Sequence, residues 1–323
     1  MATGPVPPIT RDILGRFGAI YVAPETSEQS LISVVGDAIG LIVRGNTPVS
    51  RRVVEAGKYL RVIGRSGVGC DNVDVAAATE LGIPVVFTPG AASRAVAEGA
   101  MAYTLALAKH LNELDQRTKA GDWESRDQIQ VFDLQGATLG IIGLGRIGQD
   151  FARLLQPFGM RVLAFDPYVP SERAKDVSVE LVELDTLFTQ SDFVVLVAPL
   201  TNETQGIVNR SRIASMKTGA ILINVGRGKL LESLDIVFEA LESGKLSAAG
   251  LDVFLEEPPD VSHPLFSHPK LLCSPHILGL SVSATQSIFK MMSDGMAAVL
   301  DGKMPANVIN PDVFQMHPAR KEQ

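Results

Sequence analysis

The sequence predicts an α/β protein made of two doubly wound parallel sheets. Three observations predict it: short β-branched runs alternate with longer amphipathic segments throughout, the alternation restarts near residue 139, and 323 residues are enough for two cores. Apolar residues at 46% against charged residues at 20% are ordinary globular usage, which excludes general disorder.

In the first series, residues 19–22, 38–43, 61–64 and 84–87 read as strands. The segments 27–35, 50–55 and 73–81 between them read as helices, the last stopped by Gly82, a suitable left-handed residue past a helix end. The second series has strands at 139–142, 161–165, 193–197, 220–224, 248–251 and 271–273, expected to form a six-stranded sheet. Its helix at 232–243 carries Leu234, Val237, Phe238 and Leu241 on one stripe and stops at Gly244.

Two segments fit neither series as crossovers. Residues 95–108, AVAEGAMAYTLALA, form an apolar helix whose only charge is Glu98. It is too short to span a membrane, so burial between domains or subunits is expected, which suggests a homodimer. Residues 283–300 follow the last strand and are expected to carry the chain back to the first domain.

Charge and cysteine usage exclude several functions. Lys plus Arg number 29 against 36 Asp plus Glu, a net charge of −7, and the basic residues are scattered, so no nucleic-acid partner is expected. Cys70 and Cys273 lie far apart in no metal or redox spacing, which excludes a disulfide framework and fits reduced thiols in the cytoplasm. The longest apolar stretches are shorter than the roughly 18 residues that span a bilayer. The opening MATGPVPPITRD lacks a basic segment followed by an apolar run, so neither membrane insertion nor export is expected. No His, Cys and carboxylate cluster has ligand spacing, so no metal is expected.

The strand LGII runs into Gly143-Leu144-Gly145-Arg146-Ile147-Gly148 and then a helix through residue 155, the strand-turn-helix setting that a G-x-G-x-x-G phosphate loop requires. Gly143 permits the tight turn, Gly145 the approach of a pyrophosphate, and Gly148 close packing of helix on sheet, with the helix N-terminus facing the anion. The next strand, RVLAFDP, ends in Asp166, about 20 residues on, where a carboxylate accepts ribose hydroxyls and repels a 2′-phosphate. Together the two features point to a Rossmann-like domain that binds NAD rather than NADP. The bland alternative is a glycine turn with a strand-end cap.

Three polar residues follow strands of this second sheet: Arg227 in INVGRG, Glu257 in LDVFLEEP and His276 in CSPHILG. Arg227 offers a permanent forked charge to a carboxylate and its neighbouring carbonyl oxygen. His276 exchanges a proton near neutral pH, and Glu257 can orient it and favour its protonated form. Singly, each also reads as a surface ion pair, a solvated loop or a turn residue. Their joint arrival at the carboxyl edge of a dinucleotide sheet favours catalysis.

With these segments stand GRSGVGCDNVD ending at Asp74, AVAE at 95–98 and APLTNETQGIVN at 198–209. In order and spacing they make residues 40–300 resemble the D-isomer-specific 2-hydroxyacid dehydrogenases, in particular the short phosphoglycerate-oxidising members. The resemblance implies two Rossmann-like domains with the active site in the cleft between them. A flavodoxin-like substrate domain would comprise 1–102 and 290–323, and the NAD-binding domain 103–289.

Residue roles follow from the same resemblance. Arg227 binds and polarises the 2-oxo acid, His276 is the acid/base and Glu257 its partner. Arg146 and Ile147 meet the pyrophosphate, Asp166 the ribose, and Pro199, Thr204, Val225 and Asp252 the adenosine and nicotinamide ends. Ser66, Gly67, Val68 and Gly69 present backbone N–H groups to the substrate carboxylate, as in an anion nest. Arg44 matches a family arginine that reaches the substrate's far end. Apart from the resemblance, a substrate phosphate needs cations, for which Arg44 and Arg94 are the candidates; both read equally as structural.

The implied activity is reversible hydride transfer at C2 of D-3-phosphoglycerate, with a place in serine biosynthesis. Glyoxylate or hydroxypyruvate reduction by the same trio is the alternative, and an NAD(H)-sensing corepressor-like binding protein the alternative of another class. Three positions depart from the family pattern: Val197 stands where many members have His, Leu278 replaces a glycine, and Ala91 or Ala92 replaces a substrate-side Asn. An end at Gln323 is expected to leave no room for a regulatory domain.

Overall fold

The computed structural model describes residues 1–316. Its first three strands, β1 (Gly40–Val43), β2 (Val62–Arg65) and β3 (Val85–Val86), pair in parallel in the order β1-β2-β3. Ala2 bridges in parallel to both Val22 and Ile42, so the order across this sheet is Val22, Ala2, β1, β2, β3. The chain order therefore reverses between Ala2 and β1, which is the flavodoxin-like arrangement. Residues 19–22 do not form the expected strand. Among the described residues, of this run Val22 alone pairs, at an outer position where it and Tyr21 stay exposed, and no ladder continues past it.

Side-chain alternation along these strands separates two cores. Leu41, Val43, Ile63 and Val85 face the helices Glu28–Val34, Arg51–Ala56 and Val75–Glu80 through Leu31, Val53 and Ala78. Asp74 starts the third of these helices by accepting the Ala77 N–H at 2.8 Å, and Gly82 follows it with φ +70°. On the other face, Ile42, Val62 and Val86 are covered by the helix Val282–Leu300 through Ile288, Met292 and Met296. Met296 fits because β2 carries Gly64 there: a Cβ would lie 2.2 Å from its sulfur.

The second sheet has seven parallel strands: β4 (Thr138–Ile142), β5 (Arg161–Phe165), β6 (Glu180–Leu181), β7 (Phe193–Leu196), β8 (Ala220–Asn224), β9 (Leu246–Leu251) and β10 (Leu271–Cys273). Their order is β10-β9-β8-β7-β4-β5-β6. The six-stranded expectation lacked β6, whose two residues and outward Glu180 give no periodic signal. Leu139, Ile141, Val195 and Ile223 face one core, and Ile142, Val194, Leu196 and Leu222 the other, as expected of a sheet covered on both sides.

The chain separates into two units, Met1–Ala92 with the chain from Leu280 onward, and Ser93–Gly279. Both boundaries precede those read from sequence. Residues 317–323 of the expected first domain lie outside the described residues. The apolar helix, Ser93–Ala108, packs largely into the second unit's own core. Tyr103 and Leu107 close on β9 so tightly that a Cβ on Gly250 would lie 2.6 Å from the Tyr103 ring. Among the described residues no helix is long and apolar enough to cross a membrane.

Candidate active site

The glycine loop joins β4 to the helix Arg146–Leu155. Gly143 has φ +97°, and a Cβ there would lie 2.7 Å from the Ala198 Cα, so a side chain would block both the turn and the contact with the loop after β7. A Cβ on Gly148 would lie 2.3 Å from the Gly143 carbonyl oxygen, which keeps the helix close to the loop. Around Gly145, by contrast, nothing stands within 4 Å of a Cβ. Gly145 precedes the helix without a side-chain cap, and the first turn holds no acidic residue. Its N–H groups and the positive end of the helix dipole are thus left for an anion, which fits a pyrophosphate.

Asp166 follows β5. Its Oδ2 accepts the Leu144 N–H at 2.8 Å and its Oδ1 the Tyr168 N–H at 3.0 Å, so it is a strand-end cap that fastens the glycine loop. Each oxygen keeps lone-pair capacity for a hydroxyl, so the capping role and ribose recognition are compatible. The chain runs from β4 to β5 and β6 on one side, then returns to β7 on the other. The carboxyl ends of β4 and β7 are therefore the switch point of this sheet, where doubly wound folds bind ligands. Arg146 is exposed there, Ile147 half-buried and Val225 buried. After β7, Thr204 Oγ1 donates to the Pro199 carbonyl at 2.7 Å and accepts the Thr201 N–H at 2.8 Å, so this hydroxyl shapes the loop.

Arg227, Glu257 and His276 follow β8, β9 and β10, three adjacent parallel strands, and so share one edge. Buried Asn224 brackets the first turn: its Oδ1 accepts the Gly226 N–H at 3.1 Å and its Nδ2 donates to the Arg227 carbonyl at 2.9 Å. Arg227 Nη1 donates to the Gly226 carbonyl at 2.9 Å. A Cβ on Gly228 would fall 1.9 Å from the Phe254 carbonyl, so the Arg227 loop lies backbone to backbone on the loop carrying Glu257.

Glu257 Oε1 accepts the Phe254 N–H at 3.1 Å, and its Oε2 lies 2.8 Å from His276 Nδ1. An ionised carboxylate only accepts, so Nδ1 carries the proton and Nε2 is the nitrogen left to exchange one. The His276 side chain is 37% exposed and that of Glu257 18%, which gives a solvent-reachable ring on a shielded partner. His276 has φ +52°, a left-handed conformation that costs a side-chain-bearing residue about 1–3 kcal/mol and needs support from its surroundings.

The support comes from Asp252, which is 3% exposed. Its carbonyl accepts the His276 N–H at 2.8 Å, and its carboxylate accepts the Ile277 N–H at 3.0 Å and the Leu278 N–H at 3.4 Å. Asn224, Ser274 and Tyr103 were not singled out in the sequence, and only the position of Asn224 at a strand end before G-R-G signalled its role. Leu278 is accommodated by Gly99, whose Cβ would lie 2.7 Å from the Leu278 Cβ, and Val197 packs against the apolar core.

In the first unit the expected nest is smaller. The Ser66 N–H is spent on the Val43 carbonyl at 2.9 Å, continuing the sheet, and the Gly67 N–H on the Arg65 carbonyl at 2.9 Å. No described hydrogen bond uses the N–H of Val68 or Gly69, so these two are the donors open to an anion. Arg65, which the sequence reading passed over, is 8% exposed. It lies against the loop, with Nη1 2.6 Å from where a Gly67 Cβ would stand.

Arg44 is half-buried: Nη1 donates to the Pro5 carbonyl and the guanidinium sits 5.3 Å from the Phe289 ring centre. Burial lowers its pKa. Arg94 is bound to Glu98 at 2.7 Å, an exposed pair one helical turn apart. Ala91 and Ala92 pack against the apolar core of the first unit and bring no polar atom. Among the described residues, no three His, Cys, Asp or Glu side chains gather as a metal site would require.

Known proteins share this architecture. Residues 101–277 match the family model described as D-isomer specific 2-hydroxyacid dehydrogenase, NAD binding domain. A D-3-phosphoglycerate dehydrogenase of Methanocaldococcus jannaschii is 40% identical over 98% of this chain, which spans 60% of that relative's length. A hydroxypyruvate reductase of Thermotoga maritima is 42% identical over 80% of this chain and 83% of its own. A D-lactate dehydrogenase of Aquifex aeolicus, solved with NAD and lactic acid, superposes with a TM-score of 0.87 at 26% identity, covering 96% of this chain and 98% of its own. The chain therefore belongs to the D-isomer-specific 2-hydroxyacid dehydrogenase family, whose NAD-binding domain residues 101–277 match.

Proposed function

We propose that this protein is an NAD-dependent oxidoreductase acting at C2 of a D-2-hydroxy or 2-oxo acid. The observation that carries the reading is the 2.8 Å pairing of His276 Nδ1 with Glu257, on the sheet edge that also presents Arg227. When bound, the nicotinamide supplies or takes the hydride at C2. Arg227 holds the substrate carboxylate and draws charge onto the oxygen at C2. In reduction, His276 Nε2 gives its proton to the developing alkoxide; in oxidation, the neutral ring takes the hydroxyl proton. In the second unit, Gly143, Gly145 and Gly148 would hold the pyrophosphate of the dinucleotide and Asp166 a ribose. The first unit binds the acid through the Val68 and Gly69 N–H groups.

D-3-phosphoglycerate is the proposed substrate, supported by the relatives of that name. A phosphate-free 2-oxo acid such as hydroxypyruvate is favoured by one observation: Arg44 and Arg94 already have protein partners. NAD reduction with D-3-phosphoglycerate, run beside NADH oxidation with hydroxypyruvate and glyoxylate, separates the two. Turnover of phosphoglycerate is expected. Turnover of the smaller acids alone transfers the assignment to them, and NADH binding with no turnover favours the sensing module.

Asp166→Ala tests the dinucleotide site. The variant is expected to lose much of its preference for NADH over NADPH, by about tenfold in the ratio of kcat/KM, because the carboxylate that accepts ribose hydroxyls and repels a 2′-phosphate is gone. It also leaves the Leu144 and Tyr168 N–H groups without their acceptor, so Tm falls as well. An unchanged cofactor ratio argues against the ribose role.

A further inference from the structure

Behind the His276 turn lies a chain of hydroxyls that the proposed reaction does not use. The Tyr103 hydroxyl is 2.7 Å from Ser274 Oγ, and Ser274 Oγ is 2.5 Å from Asp252 Oδ1. The direction of these bonds is fixed by counting protons. A carboxylate only accepts, so Ser274 gives its single proton to Asp252; Ser274 then accepts from Tyr103, which must donate. Burial pushes the Tyr103 pKa up to about 12, so the phenol stays a donor at any working pH.

Asp252 is the hub of this arrangement. It is a buried carboxylate, and a buried charge must be satisfied by donors. Its Oδ1 takes the Ser274 hydroxyl and the Ile277 N–H, its Oδ2 the Leu278 N–H, and its own carbonyl the His276 N–H. These bonds hold three consecutive backbone N–H groups around His276, a site residue other than glycine in the left-handed region. Tyr103 comes from the helix Ser93–Ala108, locked against Gly250 of β9, so the hydroxyl chain ties the turn to the rigid interior of the sheet.

We propose that Tyr103 and Ser274 are positioning residues, acting through Asp252 to hold the His276 backbone in its left-handed conformation and so to aim the ring at substrate. The proposal rests on the reading of His276 as the acid/base. Neither hydroxyl touches the reacting atoms; each fixes the next acceptor in line, and the strained turn keeps its shape because Asp252 cannot rotate.

The test uses the full chain with Ser274→Ala, Ser274→Thr, Tyr103→Phe and the double variant Tyr103→Phe/Ser274→Ala. Two readouts are taken: backbone amide exchange at residues 276–278, and kcat, KM and the NADH dissociation constant. Ser274→Ala is expected to speed exchange at Ile277 and Leu278 and to lower kcat, each on the order of tenfold, with NADH affinity unchanged. Ser274→Thr, which keeps the hydroxyl, restores both. Tyr103→Phe gives a smaller loss in wild type and no further loss on top of Ser274→Ala, since it acts through that residue.

Wild-type exchange in Ser274→Ala, failure of Ser274→Thr to rescue, or additive losses in the double variant would overturn the proposal. If the wild-type protein turns over no 2-oxo acid, the acid/base reading fails on its own, while the exchange rates still decide whether the hydroxyl chain holds the turn.

Discussion

Replacing His276 with Asn is expected to lower kcat for 2-oxo acid reduction by a factor on the order of 10² to 10⁴ while NADH binds as before. Asn is the informative choice because position 276 has φ +52°, and Asn tolerates that region better than most residues with a side chain. The backbone is therefore kept, together with its bonds to Asp252, and what is lost is the proton that Nε2 delivers. The dinucleotide loop follows β4, several strands away in the sheet, so its affinity has no reason to change. Steady-state kinetics beside a fluorescence titration with NADH separates the two effects. Full activity in His276→Asn would remove His276 from the mechanism.

Arg227→Gln is the second large expected effect, a fall in kcat on the order of 10² to 10³. Gln keeps a planar polar end and leaves the backbone bonds around Asn224 in place, but it carries no charge toward the alkoxide that develops at C2. The interaction strengthens as charge grows on oxygen, so kcat falls along with kcat/KM. Arg227→Lys is expected to recover only part of the loss, because a point charge cannot hold carboxylate and carbonyl oxygen as a fork does. A rise in KM with kcat intact would instead assign Arg227 to ground-state binding.

The parts of this molecule legible in the sequence are those where local pattern and tertiary role coincide. Strands 161–165, 220–224 and 271–273 match the structure at both ends, since each is a short, mostly apolar run bounded by turn residues, whether buried throughout as 220–224 is or at the sheet edge as 271–273 is. The G-x-G-x-x-G loop is legible because Gly143 and Gly148 answer separate steric demands, of the turn and of helix packing, while Gly145 leaves open space at the helix start. Strand β6 was not, being two residues long, and Val22 lies in a run with strand composition but only one paired residue.

The candidate site divides in the same way. Arg227, Glu257 and His276 announce themselves as polar residues ending apolar strands. The nest does not: sequence cannot say that the Ser66 N–H is taken by the Val43 carbonyl, which depends on how β2 pairs with β1, nor that the Gly67 N–H turns back onto the Arg65 carbonyl. Tyr103 is hidden for the opposite reason. In an apolar run it reads as core, and only the approach of Ser274, 171 positions away, gives its hydroxyl a partner. The same long-range packing buries much of the helix Ser93–Ala108, with Tyr103 and Leu107 closing on Gly250.

The most direct measurement is isotope transfer. The protein is incubated with each C4 epimer of NADH deuterated at the nicotinamide and with hydroxypyruvate, glyoxylate or 3-phosphohydroxypyruvate, and the product is read by NMR and chiral chromatography. Deuterium at C2 from one epimer only, in a D-configured product where C2 is a stereocentre, and its loss in His276→Asn, is the expected result. NADH that binds but leaves no deuterium at C2 of any of these acids would contradict the assignment of this sheet edge to 2-hydroxy acid chemistry.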